Sequence, residues 1–313
     1  MNLLAGDTKF PFRLQLEQYE MTRLAVAALQ QLPSAEVRFH AGVTGFDQDD
    51  HGVDVHIDGP EGPETLHGAF LVGADGASSQ VRQAAGIGYG GFTYDEKFLV
   101  VSTTFPFEDV FDNLSWVNYV ADPEEWCVVL RTDKIWRVLF PTTPETAEDE
   151  AFLLSDGHIQ ERLHHLHDKD GDYDIGHRTL YNVHQRVSET YIQGRVALAG
   201  DACHINNPLG GMGMNGGIHD GWVLAEKLVR AMHGGEDHVL LFEHYDRQRR
   251  ELAVEFVQQH TIENKKLMES TDPDIQKKRQ AFLMDNASDP EKARAFMLER
   301  AMLNILKESL DAA

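Results

Sequence analysis

Hydrophobic residues first recur with helical spacing at Met21, Leu24, Ala25, Ala28 and Leu32, and Pro33 ends the run, which predicts a helix over 18–32. The period then falls to two. Val37 and Phe39 suggest a strand, and Val53, Val55 and Ile57 alternate with Asp54, His56 and Asp58 as in a half-exposed strand. Gly59, Pro60, Gly62 and Pro63 are turn formers, so residues 43–67 read as a small meander. The run 70–74 is apolar without alternation, the pattern of a strand buried on both faces. Residues 98–104, 115–121, 126–131 and 135–141 read as antiparallel strands, with Thr132, Asp133 and Lys134 linking the last two. A polar, acidic stretch over 145–168 reads as helical, 181–184 as a returning strand, and 196–199 as a second short buried strand. A glycine-rich loop then leads into a helix on which Ile218, Trp222, Ala225, Val229 and Met232 share a face. From 238 to 311 the pattern is of long helices, broken near Asp272-Pro273 and Asp289-Pro290.

Composition narrows the partners. The 313 residues, 42% of them hydrophobic, suffice for one large core or two smaller ones. A formal net charge of -23 argues against nucleic acid and against an anionic membrane surface, both of which need a basic footprint. Any anionic ligand must be held locally, by helix N-termini or single arginines. Two cysteines, Cys127 and Cys203, allow no disulfide framework and suit a reducing compartment. The first residues show no basic, apolar leader, and no stretch approaches the roughly 20 apolar residues of a membrane span. A soluble, cytoplasmic protein is expected.

Two segments carry candidate chemistry. The first runs from Arg195 through Gly200, Asp201, Ala202, Cys203 and His204 to Pro208, Gly210, Gly211, Met212, Gly213, Met214, Asn215, Gly216 and Gly217. Its strand–loop–helix order puts bare N–H groups at a positive helix N-terminus, glycines let a flat or anionic ligand approach, and Asp201 is placed to accept from sugar-like hydroxyls. Gly211, Gly213 and Gly216 satisfy GxGxxG, a weak signal alone. The acidic residues downstream, Glu226 and Glu236, lie in or just after the helix, so this is no ordinary nicotinamide fingerprint. Gly86, Gly88 and Gly91 match too, but in helix-to-strand order, the reverse of what is needed. The second segment ends the 70–74 strand in Asp75 and Gly76, with Ser78 or Ser79 able to cap a short helix bearing Arg82.

Together the segments resemble the flavoprotein aromatic hydroxylases. The DGxxSxxR motif of that family is met by Asp75, Gly76, Ser79 and Arg82. Its GDAAH–Pro–GGxGMNxGxxD motif is met by Gly200, Asp201, Ala202, His204, Pro208, Gly210, Gly211, Gly213, Met214, Asn215, Gly217 and Asp220, with Cys203 replacing an alanine. Gln18, Tyr245 and Arg249 are further matches. The resemblance implies FAD as cofactor and NAD(P)H as electron donor, with dioxygen passing through a flavin hydroperoxide to an electron-rich aromatic substrate. It implies that Asp201 binds the ribityl chain and that the backbone of Gly213, Met214 and Asn215 faces the pyrimidine edge. Pro208 would flank the isoalloxazine, and Asp75 and Arg82 would lie near the pyrophosphate.

The expected fold is mixed α/β: an incomplete Rossmann-like FAD-binding domain, an inserted antiparallel-sheet substrate domain and C-terminal helices. The expected division is 1–90 and 186–235 for FAD, 91–185 for substrate, and 236–313 helical. The family's N-terminal βαβ unit, with its first glycine-rich loop, is not found before the 18–32 helix. A complementing N-terminal segment or a homo-oligomer is therefore among the expected partners, and an inactive fragment or split flavoprotein stands as an alternative, as does another FAD-dependent oxidoreductase. Three residues are substrate candidates, Tyr119, Arg137 and Tyr181. Arg137, between Trp136 and Val138, is either a partner for a substrate carboxylate or a surface arginine. His164, His165, His167 and Asp168 read as a solvated helix face rather than a metal site. No metal is expected, and no protein nucleophile stands out.

Overall fold

A computed structural model describes residues 2–122, 125–270 and 272–311, without the side chains at 256 and 308–311. In chain order it contains helix α1 (Gln18–Leu29) and strands β1 (Gly42–Gln48), β2 (Val53–Gly59), β3 (Gly62–Gly68) and β4 (Leu71–Gly73). Helix α2 (Gln80–Ala84) precedes strands β5 (Tyr89–Thr103), β6 (Val117–Val120), β7 (Cys127–Arg131) and β8 (Trp136–Thr142). Helices α3 (Ala147–Leu153) and α4 (Asp156–Leu166) precede strands β9 (Ile175–Ser188), β10 (Ile192–Gln193), β11 (Val196–Leu198) and β12 (His204–Ile205). Six helices follow: α5 (Gly213–Gly234), α6 (His238–Glu251), α7 (Gln259–Glu269), α8 (Pro273–Ser288), α9 (Pro290–Arg300) and α10 (Leu303–Asp311). The chain forms two compact units.

One unit comprises Arg38–Thr93, His184–Lys265 and the chain from Leu298. The meander appears as expected, with Val55 paired to Phe46 on one side and Leu66 on the other. Beside it β11 lies parallel to β4 and antiparallel to β10, in the order β10-β11-β4. Strand β11 is wholly buried, and its core continues through Val81, Tyr191, Leu224, Phe242 and Tyr245. The Tyr245 hydroxyl donates to the Leu198 carbonyl at 2.6 Å and ties α6 to this strand. The expectation for 70–74 fails in part. Strand β4 ends its sheet, and Val72 is 39% exposed. Residues 37–39 form no strand, since Phe39 is exposed and has no strand partner to justify an extended run.

The other unit comprises residues up to Val37, Tyr94–Val183 and Lys266–Met297. Here β5, β8, β7 and β6 form antiparallel ladders, with Val101 opposite Val138 and Val138 opposite Val129. One sheet face, with Leu99, Val101, Trp136, Val138, Phe140, Cys127 and Val129, packs on Ile159 and Leu163 of α4. The opposite face carries Phe98, Val100, Ser102, Arg137, Leu139, Val128 and Tyr119, as strand alternation and the register dictate. The predicted breaks are realised as capped proline starts. The Asp272 carboxylate accepts from the Asp274 N–H at 2.8 Å, and Asp289 accepts from Glu291 and Lys292. Helix α1 ends at Leu29, three residues before the predicted 32, and buries none of its residues.

Candidate flavin site

The site is built where β11 runs out. After Ala199 the chain turns through Gly200, whose φ of +64° is a left-handed conformation that suits glycine. The turn is pinned by Asp220 from α5. Its carboxylate accepts from the Gly200 N–H at 3.0 Å, from His204 Nε2 at 2.8 Å and from Arg249 Nε at 2.7 Å. Asp220, His204 and Arg249 are all buried. Burial pushes the Asp220 carboxyl up, but the His204 ring and the Arg249 guanidinium outweigh it and hold the group below its ordinary value. Arg249 also donates to the Gly216 carbonyl at 3.2 Å, so one buried ion pair locks strand end, loop and helix start together.

That lock leaves two groups turned to solvent. Asp201 is exposed, and its carboxylate has no hydrogen-bond partner among the described residues. Desolvation by the surrounding protein nonetheless raises its pKa. Helix α5 begins at Gly213 with no side chain capping its N-terminus, so its first N–H groups and the positive end of the helix dipole are available to a ligand. Gly217 lets α5 approach the turn, because a Cβ there would meet the Gly200 Cα at 3.1 Å. Gly210 and Gly211 carry φ of +113° and +65°.

The loop between is held from below. Asn207, fully buried, receives its position from Gln185 and Thr261: its N–H and Nδ2 donate to Gln185 Oε1, and Nδ2 donates to the Thr261 carbonyl at 3.0 Å. Gln185 Nε2 donates to Thr261 Oγ1 at 2.8 Å. A π-helical stretch, Leu252–Gln258, joins α6 to α7 here, and Gln258 donates to the carbonyls of Arg186 and Ile205.

The second motif stands beside the first. The Asp75 carboxylate accepts from the Gln80 and Val81 N–H groups and from the Ser79 hydroxyl, while Ser79 caps the Arg82 N–H. Asp75 is therefore spent on the start of α2. Arg82 is buried, donates to the carbonyls of Ala202 and Ala77 at 2.8 Å, and lies 3.9 Å over the Tyr89 ring. Tyr89 in turn donates to the Asp201 carbonyl at 2.9 Å. Arg82 thus couples the two motifs through the protein, using two of its donor nitrogens to do so.

Of the expected site residues, Asp75, Gly76, Arg82, Gly200, Asp201, Pro208, Gly211, Gly213, Met214 and Asn215 all belong to this unit. Gln18, exposed at the start of α1, belongs to the other, as do Tyr119, Arg137 and Tyr181. Cys203, His204 and Asp220 bring three metal-type ligand atoms together. Asp220 is already ion-paired to Arg249, and burial pushes the Cys203 thiol well above its ordinary value, which suits a structural knot rather than a metal centre. His164 merely pairs with Asp168 at 3.2 Å on α4. Sequence reasoning missed the roles of Gln185, Asn207 and Thr261, whose partners lie 22 to 76 residues apart.

A short mixed sheet ending in an unpartnered aspartate, a glycine-rich loop against an uncapped helix, and an antiparallel sheet with aromatics on one face define an FAD-dependent oxidoreductase. The chain belongs to the family described as "FAD binding domain", matched over residues 3–260. It is 32% identical to para-nitrophenol 4-monooxygenase of Pseudomonas sp. (strain WBC-3), across 100% of this chain and 78% of the relative. The crystal structure of p-nitrophenol 4-monooxygenase from Pseudomonas putida DLL-E4 superposes with a TM-score of 0.88 at 32% identity, covering 96% of this chain and 76% of that one. Aklavinone-11 hydroxylase, solved with FAD and aklavinone, gives 0.71 at 27% identity over 79% of this chain and 47% of its own. The aromatic-hydroxylase class, the FAD cofactor and the mixed α/β fold all follow.

Proposed function

We propose that this protein hydroxylates a small aromatic compound with NAD(P)H and dioxygen. FAD, when bound, carries electrons from the nicotinamide to oxygen; the protein supplies grip, orientation and a dry setting. Asp201 would accept from the ribityl hydroxyls. The N–H groups of Gly213, Met214 and Asn215 would hold the pyrimidine edge, and Pro208 would support the ring. Asp75 and Arg82 order the backbone near the pyrophosphate. Tyr119, Arg137 and Tyr181, on the antiparallel sheet, line the substrate side. The observation that carries the reading is the unpartnered Asp201 carboxylate beside the uncapped N-terminus of α5.

The test is NAD(P)H oxidation by the FAD-loaded protein across a panel of phenols, with labelled dioxygen traced into product. Stimulated oxidation with label in the ring is expected. Oxidation without label would make it a different FAD-dependent oxidoreductase, and neither retained flavin nor stimulation would defeat the reading.

A second observation favours a complementing segment. The apolar face of α5 points outward, with Ile218, Trp222, Val229 and Met232 at 44%, 77%, 58% and 57% exposure, and β4 ends its sheet. A segment laid on that helix would cover its apolar face. We place the protein in the cytoplasm on the strength of its two free, buried cysteines. No helix among the described residues is long and apolar enough to cross a membrane.

A further inference from the structure

Over residues 210–215 one side chain is buried, that of Met212, the residue just before α5; its neighbours Gly211 and Met214 are exposed. Met212 lies in a buried cluster with Leu252 and Val257 of the π-helical stretch and with Met302, and Ile305 and Leu306 of α10 pack against that cluster. Two left-handed glycines precede Met212, so the local backbone alone leaves the start of α5 loosely set. The apolar contact behind Met212 is what fixes it.

Met302 is held there in an uncommon conformation. Its φ is +60°, a left-handed value that is costly for a residue with a side chain and persists where the surroundings over-determine it. Its N–H donates to the Glu299 carbonyl at 2.9 Å, and its side chain is 5% exposed. Glycine would suit this backbone; methionine suits the packing. The residues just before it bind α7. Glu299 pairs with His260 Nε2 at 3.2 Å, and Arg300 Nη1 donates to Asn264 Oδ1 at 3.4 Å. Helix α7 carries Thr261, which holds Asn207, and Asn264, whose Nδ2 would lie 3.4 Å from a Cβ at Gly210. The stretch 299–306 thus backs the loop at both ends.

We propose that Met302 is a positioning residue for the flavin: its side chain fills the space behind Met212 and sets the start of α5, so that flavin affinity depends on a residue outside both motifs. The proposal rests on the reading of the loop from Gly200 to Asn215 as the flavin cradle. An unbranched thioether adapts to such an irregular gap. Apparent flavin affinity falls with the fraction of molecules in which the loop is set.

The experiment compares wild type, Met302→Ala, Met302→Gly and Met302→Leu by two readouts: riboflavin and FAD affinity from quenching of flavin fluorescence, and backbone amide exchange over 207–216 in the flavin-free protein. Met302→Ala should weaken both flavins by a similar factor, on the order of tenfold, and speed that exchange. Met302→Gly relieves the backbone yet deletes the side chain, and should behave like Met302→Ala. Met302→Leu keeps the volume and should regain most of the affinity. Leu163→Ala, which opens a cavity beneath the antiparallel sheet, controls for lost stability and should leave riboflavin affinity unchanged. Wild-type affinity and exchange in folded Met302→Ala or Met302→Gly overturns the positioning role, as does an equal loss of riboflavin in Leu163→Ala. Faster exchange in these variants when wild type itself binds neither flavin would defeat the cradle reading, and the positioning of flavin with it.

Discussion

Asp201 and Asp220 stand 19 residues apart and do opposite things. Asp220 is satisfied by the Gly200 N–H, His204, the Cys203 thiol and the buried Arg249 cation. Replacing it with asparagine strands the Arg249 charge in the core and should cost roughly 3–5 kcal/mol, read by denaturant unfolding. Because its folded-state pKa lies below the ordinary 3.8, its contribution is intact above that pH and fades as pH falls through the depressed value. Asp201 runs the other way. Its raised pKa means that the folded protein binds this proton more tightly, so stability is lost as pH rises through the raised value. Asp201→Asn should therefore leave the flavin-free protein as stable as wild type or more so at neutral pH, with the difference vanishing below about pH 4, while flavin affinity drops. A lower melting point together with unaltered flavin affinity would show Asp201 to be structural. Such a trade of stability for binding marks a functional group. Both aspartates were visible in the sequence as motif letters, but only Asp201 was legible as a ligand-facing group. The role of Asp220 depends on Arg249 and His204, which only the fold brings to it.

Among the elements, β11 was legible as a short apolar run, α5 by its helical period, and the later helix starts by their proline and aspartate. Where each face would point was not. The residues Ile218, Trp222, Val229 and Met232 give α5 its helical signature, yet that face is exposed, while Gly216, Asp220, Leu224 and Lys227 are buried. Periodicity reports that one face differs from the other, and burial depends on what lies against it. Strand β4 was misread as doubly buried for the same reason. Its contact with α2 is nonetheless tight: a Cβ at Gly73 would fall 2.8 Å from both Leu198 and Val81. Gly73→Val should destabilise by about 1–3 kcal/mol in thermal or denaturant unfolding. Below the loop, Thr261→Val removes the 2.8 Å acceptor of Gln185 and should cost about 1–3 kcal/mol. Neutral behaviour in that variant would show that the Gln185–Asn207–Thr261 network does not hold the loop.

At the scale of the molecule, a net charge of -23 opposes any anionic ring compound. The opposition is long-range and screened beyond roughly 8 Å at physiological salt, whereas side chains in a binding site act at contact. Association of 4-nitrophenolate should therefore quicken as ionic strength rises, measured by stopped flow; slowing would reveal a local positive field strong enough to outweigh the whole. The division into two compact units assigns the parts: one unit holds both flavin motifs, and the other holds the aromatic sheet face. The chain spans 78% of para-nitrophenol 4-monooxygenase, so the most direct test addresses the flavin end alone. Riboflavin and FAD should both bind, as followed by quenching of flavin fluorescence, and Asp201→Asn should weaken both by a similar factor, on the order of tenfold. If riboflavin and FAD fail to bind the wild-type protein, or bind Asp201→Asn as tightly as wild type, the loop from Gly200 to Asn215 is not a flavin cradle.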